Sequence, residues 1–504
     1  MTFQNDPPQE PAKPATHDTV PPPALLEFMV KDWKPASGEP TPRLQGYEAF
    51  AARRRALSRL FPGETLVIPT GHEKVRANDT NYRFRPGSDF YYLTGNVEPD
   101  CVLVMEAWEG GHRNVLFVEP NPGHSDATFF TDRVKGELWV GPRLGVPQSR
   151  DRFAVDECQG LPDLKATLEV VAKAGKHRVV RGMSDRVDPL LPPRKEGEKG
   201  EKDLDKELAQ ALSEMRLLKD AQEVKELSAA IASTRRGFED VIAALRDHPV
   251  KSERVVEGVF NLRARVEGND VGYGTIAASG PHACILHWTR NDGRLKPGQL
   301  LLLDAGVERE TLYTADITRT LPVGGKFSKQ QREIYSLVHA AQAAAFEAVK
   351  PGNDFMEPNR RAMKVLAEGL ARLGILRTSP EEALKDEHQF YKRYSLHNVS
   401  HMLGLDVHDC AQARQEAYKY GKLKPGMVLT VEPGLYFQLD DLTVPEKYRG
   451  IGVRIEDDVL VTEKGMRNLS ASFPSEADAV EAWMASVWKQ GSKKGSKKGS
   501  KKKR

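Results

Sequence analysis

Residues 299–323 read QLLLLDAGVERETLYTADITRTLPV. Four leucines run into Asp304, a polar turn follows around Glu308 to Glu310, and a second apolar strand begins beside Asp316. The pattern predicts a β-hairpin. With the turn centred near residue 310, Asp304 and Asp316 stand opposite each other on one face, with Cβ atoms roughly 5 Å apart. Two facing carboxylates repel, so one must take up a proton or the pair must find a metal ion. Two exposed turn residues would be the plainer reading, but four leucines directly before Asp304 argue against it.

Further acids end apolar strands nearby. In MVLTVEPGLYF, Glu432 closes a β-branched run and Pro-Gly stops the strand. In GVRIEDDVLVT, alternation puts Val453, Ile455 and Asp457 on one face and Arg454, Glu456 and Asp458 on the other, where Arg454 could neutralise Glu456. Between these strands lies HNVSHMLGLDVHD, residues 397–409, with three histidines in thirteen positions. Four acids at the ends of apolar strands and a histidine cluster suit a hard or borderline divalent ion.

Around this nucleus, amphipathic helices are predicted over about 207–247 and 328–350, in two halves of similar outline, each with helices followed by paired strands. Earlier in the chain, ETLVIPT, DFYYLTG, DCVLVMEAW and RNVLFVEP read as short strands and LPDLKATLEVVAKA as a helix. The fold class is α+β, or mixed α/β. The boundaries read as a Pro-rich disordered arm over 1–40, a first domain over 41–191, a charged linker (PPRKEGEKGEKDLDKE) over 192–207, a second domain over 208–482 and a Lys-rich disordered tail over 489–504.

A chain of 504 residues, 39% hydrophobic, favours two or more domains. No apolar run is long enough to span a membrane, and the start has neither a basic n-region nor an apolar h-region, which points to the cytoplasm. Cys101, Cys158, Cys284 and Cys410 stand singly, which argues against a disulfide framework or a thiolate zinc site. The tail holds nine of the 74 basic residues and no acid, so the net charge of +3 hides an acidic body. Such a tail could bind nucleic acid through phosphates or serve only as a solubilising extension.

Five ordered motifs, ILHWTRND (285–292), DAGVERETLYTADITRT (304–320), HNVSHMLGLDVHD (397–409), TVEPGLY (430–436) and GIGVRIEDD (450–458), resemble the pita-bread metallopeptidases, and among them the bacterial Xaa-Pro aminopeptidases (aminopeptidase P). RANDTNYRFRPGSDFYYLTG (76–95) and GELWVGPRLG (136–145) resemble that family's smaller α/β N-terminal domain. The resemblance implies a pita-bread second domain and five metal ligands, Asp304, Asp316, His401, Glu432 and Glu456, holding two divalent ions, most commonly manganese. One departure is that the aspartates are twelve apart where eleven is the commoner spacing, which reads as one extra residue in an exposed turn.

The resemblance further implies hydrolysis of the bond before proline in peptides with proline second, by a water activated between two ions. This agrees with the lack of any recognisable Ser-His or Cys-His arrangement. Glu432 then acts as general base, His287 holds the substrate amide and shuttles protons, and His408 contacts the tetrahedral intermediate. His397 lines the proline pocket and Arg454 orients the region beside Glu456. Asp79 and Trp139 resemble N-domain residues that reach sites across subunits, which implies a homo-oligomer, dimer or tetramer. The nearest alternative is a Xaa-Pro dipeptidase (prolidase). A non-catalytic pita-bread binding module is a remoter one, because such modules have typically lost ligands. On this reading His397 and His401 are not a helical metal pair, and Met402, Leu403 and Leu405 pack behind the site.

Overall fold

The computed structural model describes residues 21–34, 40–78, 80–197 and 202–500, and the chain divides into two compact units, Met1–Leu212 and Ser213–Arg504. In the first, five strands form one mixed sheet in the order Glu157–Gly160, Gly111–Val118, Val102–Trp108, Thr65–Pro69, His177–Val179. The three central strands are antiparallel and the two edge strands pair in parallel. Alternation aims Val102, Val104, Val115 and Phe117 at Leu161, Leu164 and Leu168 of the helix Leu161–Ala174, which ends at Gly175 in the left-handed conformation. DFYYLTG, read as a strand, is instead the helix Ser88–Thr94. Its five residues from Phe90 to Thr94 are all buried, so the helix is enclosed on every side, and Gly95 at φ 69° caps it.

The N-terminal and linker segments also differ from the sequence reading. Within the predicted Pro-rich arm, Pro23–Met29 is a short helix, while 1–20 and 35–39 lie outside the described residues. The predicted linker holds a small antiparallel pair, Lys195–Glu196 with Lys202–Asp203, and 198–201 again lie outside the described residues.

The long helix predicted over 207–247 is two, Leu204–Arg216 and Ala221–Asp247. The break has a local cause. Asp220 caps the second helix by accepting from the Glu223 amide at 2.9 Å, while Glu223 accepts from the Asp220 amide at 2.9 Å. Ala221–Asp247 and Glu253–Glu267 precede a three-stranded sheet in which Leu300–Ala305 lies between Ile276–Ser279 and Ile317–Pro322. Lys329–Ala348 and Glu357–Arg372 then precede a second sheet, in which Asp457–Val461 lies between Val428–Val431 and Met466–Asn468. Both halves thus share one outline.

GVRIEDDVLVT does not form one strand. Gly452–Arg454 pairs with Gly434–Tyr436, the chain breaks at Ile455 and Glu456, and Asp457–Val461 pairs with Val428–Val431. The last helix, Ala477–Ser500, runs through the GSKK repeats that the sequence predicts to be a disordered tail. A helix already nucleated by packed first turns, with Val480 and Met484 fully buried, extends without a second nucleation cost.

Candidate metal centre

The leucine-rich hairpin forms, but its register differs from the one expected. Asp304 pairs with Thr318, not Asp316, and the ladder continues through Ala305 with Ile317 to the Glu308–Thr314 bridge. The turn therefore centres nearer 311, and Asp316, two residues along from Thr318, is the diagonal neighbour of Asp304 on the same face. The turn exposes Glu310 but is buried on either side of its tip. Leu312 at φ 63° and Tyr313 are buried, and Glu308 is buried against the Asn269 amide at 2.7 Å. At Gly306 the strands approach so closely that a Cβ would lie 1.7 Å from the Ala315 carbonyl oxygen.

Asp304, Asp316, His401, Glu432 and Glu456 all face one cavity of about 540 Å³ in the second unit, together with His287, His397, His408 and Arg454. One donor atom each from Asp316, His401 and Glu456 lies within 4.8 Å of the others. His401 Nε2 is 3.3 Å from both Asp316 Oδ2 and Glu432 Oε1. Its Nδ1 meets the Met402 carbonyl at 3.2 Å, which orients the ring. Met402, Leu403 and Leu405 are buried behind it, and 397–409 contains no helix, so the four-residue spacing of His397 and His401 is a loop feature.

Arg454 acts on Glu456 through its charge alone, and its hydrogen bonds go elsewhere. Its Nη2 donates to Asp304 Oδ2 at 2.5 Å, Nη1 to the Tyr436 hydroxyl at 3.0 Å and Nε to Thr318 Oγ1 at 3.2 Å. Glu456 instead accepts from Thr318 Oγ1 at 2.6 Å. His397 Nε2 meets the Tyr436 hydroxyl at 2.7 Å. The His408 ring stands edge-on to His401 at 4.3 Å between centroids, and both His408 and His287 are exposed. Trp139 belongs to the first unit, on Glu137–Val140, where its indole donates to the Phe130 carbonyl at 2.7 Å. Asp79 lies outside the described residues.

Burial is the main cause that raises these acids, reinforced by their neighbours' charges. Glu456 is held well above the usual carboxylate range by burial and then by Asp316, Glu432 and Asp304. Asp316 is raised by burial and by Asp304, against the hydrogen bond to His401. Glu432 is raised to about 7 by burial, with His401 opposing and Asp316 adding to the rise. Burial alone would lower His401, but the Asp316 hydrogen bond and the Glu432 charge outweigh it and carry the imidazole up to about 9. His397 goes the other way, down to about 4, through burial and the charge of Arg454.

The donor set fits divalent ions. The Tyr273 hydroxyl lies 2.5 Å from Asp304 Oδ1 and 2.5 Å from Asp316 Oδ1. One phenol proton cannot serve two carboxylate oxygens, so the cluster needs another positive partner there, a proton or a cation. Four crowded acids beside one arginine and one imidazole have the composition of a hard-cation site.

Sequence reasoning missed Tyr273, Tyr436 and Thr318. Tyr273 had one readable signal. It stands between Gly272 and Gly274, and a Cβ on Gly272 would lie 1.9 Å from Thr314 Oγ1, so the segment is pressed against the hairpin.

Comparison with known proteins agrees with this geometry. Residues 225–463 match the model of metallopeptidase family M24, and residues 50–180 that of the aminopeptidase P N-terminal domain. The chain is 49% identical over 463 residues to Xaa-Pro aminopeptidase 1 of Streptomyces coelicolor, covering 92% of each. It is 36% identical to the Xaa-Pro aminopeptidase of Haemophilus influenzae, covering 87% of this chain and 97% of that one. Among solved structures, Escherichia coli aminopeptidase P with the inhibitor Pro-Leu superposes with a TM-score of 0.77 at 31% identity, covering 88% of this chain and 99% of that one.

Proposed function

Because the chain belongs to metallopeptidase family M24, in its Xaa-Pro aminopeptidase branch, we propose how the residues of the cavity divide the hydrolysis of a Xaa-Pro bond. The enzyme releases the N-terminal residue from peptides whose second residue is proline. The observation that carries this reading is the convergence of four carboxylates and one imidazole on one cavity that also presents three further histidines.

Asp304, Asp316, His401, Glu432 and Glu456 are the residues that would hold two divalent ions, manganese being the proposed pair. Such ions, when bound, polarise a carbonyl and lower the pKa of water. Glu432 accepts the proton of the attacking water and returns it to the leaving proline nitrogen. His408 donates to the oxygen that gains charge in the tetrahedral intermediate. His287 holds the substrate amide and moves protons beside it. His397, steadied by Tyr436, forms the wall for the proline ring, and Arg454 fixes the Asp304 carboxylate. The scissile bond is a tertiary amide with no N–H and a rigid ring, so a shaped wall serves it better than a hydrogen-bond acceptor would.

The wider proposal is a cytoplasmic homo-oligomer, dimer or tetramer, in which Asp79 and Trp139 act toward a neighbouring copy's site. No helix among the described residues is long and apolar enough to cross a membrane. Sedimentation of the purified protein and elemental analysis of its bound metal read the oligomer and the ion.

The function is tested with a Xaa-Pro-Yaa tripeptide, the matching Xaa-Pro dipeptide and the variant Glu432→Gln. The tripeptide is expected to lose its first residue faster than the dipeptide is cut. Glu432→Gln is expected to lower kcat by about a thousandfold while melting stays close to wild type. Preference for the dipeptide would make the enzyme a prolidase, and full activity of the variant would remove Glu432 as base.

A further inference from the structure

The loop carrying His287 leaves the strand Ile276–Ser279 and returns to Leu300–Ala305 past a single carboxylate. Glu253, the first residue of the helix Glu253–Glu267, has no exposed surface. Its Oε1 accepts from the Ser279 amide at 2.7 Å, lies 3.0 Å from the Ser279 hydroxyl and meets His282 Nδ1 at 2.9 Å. Its Oε2 accepts from the Trp288 indole at 2.8 Å and the Gly293 amide at 2.7 Å.

Every partner comes from residues 279–293, and three of them, the Ser279 and Gly293 amides and the Trp288 indole, can only donate; they engage both oxygens, which favours the ionised acid. Burial pushes the Glu253 carboxyl up, and the hydrogen bonds from Trp288, Ser279, His282 and Gly293 outweigh it, leaving it below the usual range. Its place in the first turn of a helix favours the anion further.

The loop is shaped to this grip. A Cβ on Gly293 would lie 2.7 Å from each Glu253 oxygen. The His282 ring stacks on Trp288 at 3.9 Å between centroids and 27° between planes, so the indole is held by its edge and by its face. Asn291, buried with φ 49°, closes the base by donating to the Thr275 carbonyl at 2.9 Å and accepting from the Ala277 amide at 3.0 Å. Between these anchors, Leu286, His287 and Thr289 form one wall of the cavity.

We infer that Glu253 is a positioning residue for His287: by clamping the residue after it, Trp288, and both ends of the loop, it fixes where the His287 imidazole meets the substrate. The inference rests on the role proposed for His287. It assigns Glu253 no contact with substrate or ions, and none of its hydrogen-bond partners belongs to the five proposed ligands.

The test is a double-mutant cycle on the metal-loaded enzyme, with Glu253→Gln and Trp288→Phe each made alone and with His287→Ala, and with bound metal measured throughout. Glu253→Gln places an amide N–H against donors it cannot accept from. It is expected to lower kcat about tenfold or more, to change KM less than about threefold and to keep the wild-type metal content. In the His287→Ala background the same change is expected to cost less than about twofold, because the group it positions is gone. Trp288→Phe keeps the ring stack but removes one donor, and is expected to cost about threefold in the wild-type background and nothing further with His287→Ala. That variant carries the cycle should Glu253→Gln fail to fold. Equal losses in both backgrounds, or loss of metal, would overturn the inference while leaving the role of His287 standing. Wild-type kcat for His287→Ala alone would overturn that role, and the inference with it.

Discussion

The loop that carries His401 and His408 is tied to the helical half by a buried charge cluster, and replacing Asp409 by Asn measures what that tie is worth. Asp409 Oδ2 meets Lys219 Nζ at 3.0 Å and Oδ1 accepts from Arg216 Nε at 3.0 Å, with side-chain exposures of 1% for Asp409, 0% for Lys219 and 6% for Arg216. Lys219 Nζ also donates to the Arg216 carbonyl at 2.7 Å. Asp409→Asn keeps the shape and removes the charge, which leaves a fully buried ammonium without the carboxylate that neutralises it. The expected loss is about 3–5 kcal/mol.

The pH dependence gives a second estimate. The Asp409 carboxyl is lowered from 3.8 to about 2, burial opposing and the Lys219 and Arg216 charges prevailing. At about 1.4 kcal/mol per unit this is about 2.5 kcal/mol. Because the folded value lies below the unfolded one, the contribution is complete above about pH 4 and is lost as pH falls toward 2. The substitution should cost more than acid does, since acid leaves a neutral carboxyl between the cations only when both states are already protonated. Urea unfolding at pH 7 and pH 3, read with hydrogen exchange over residues 401–410, provides the assay. The gap between wild type and variant should shrink at pH 3, and Lys219→Met should recover part of the Asp409→Asn loss when the two are combined. A variant within about 0.5 kcal/mol of wild type at pH 7 would refute the reasoning.

Metal loading should release protons. Burial and mutual repulsion raise Asp316, hold Glu456 well above the carboxylate range and put Glu432 at about 7, and ligands must be deprotonated to bind. Titration of the chelated protein with manganese in buffers of different ionisation enthalpy should therefore show proton release near neutral pH, with affinity falling as pH falls; buffer-independent heats would contradict this. Removing residues 489–504, with their nine basic side chains, should leave peptidase turnover unchanged and reduce both the affinity for DNA and its salt dependence, and an unchanged salt slope would remove the tail as a nucleic-acid contact.

The cluster of strand-ending acids was legible and its supports were not, for one physical reason. An aspartate after four leucines, or a glutamate closing a β-branched run, is an anomaly visible within its own strand, because period and burial are properties of one segment. The face shared by Asp304 and Asp316 could be read that way. Their register could not, because it depends on Gly306 pressing on Ala315 and on Leu312 and Tyr313 folding inward, features of the paired strands and not of either one. Tyr273 meets acids 31 and 43 residues away, and Lys219 meets an acid 190 residues away. Each has an unremarkable local sequence, because what it relieves is another residue's desolvation. Glu253 is the limiting case. It reads as an ordinary acidic first-turn residue of a helix, and only the folded loop shows five polar groups converging on it. A side chain whose burial contradicts its chemistry can be found from one strand; a side chain that resolves such a contradiction elsewhere becomes visible only when both partners are in place.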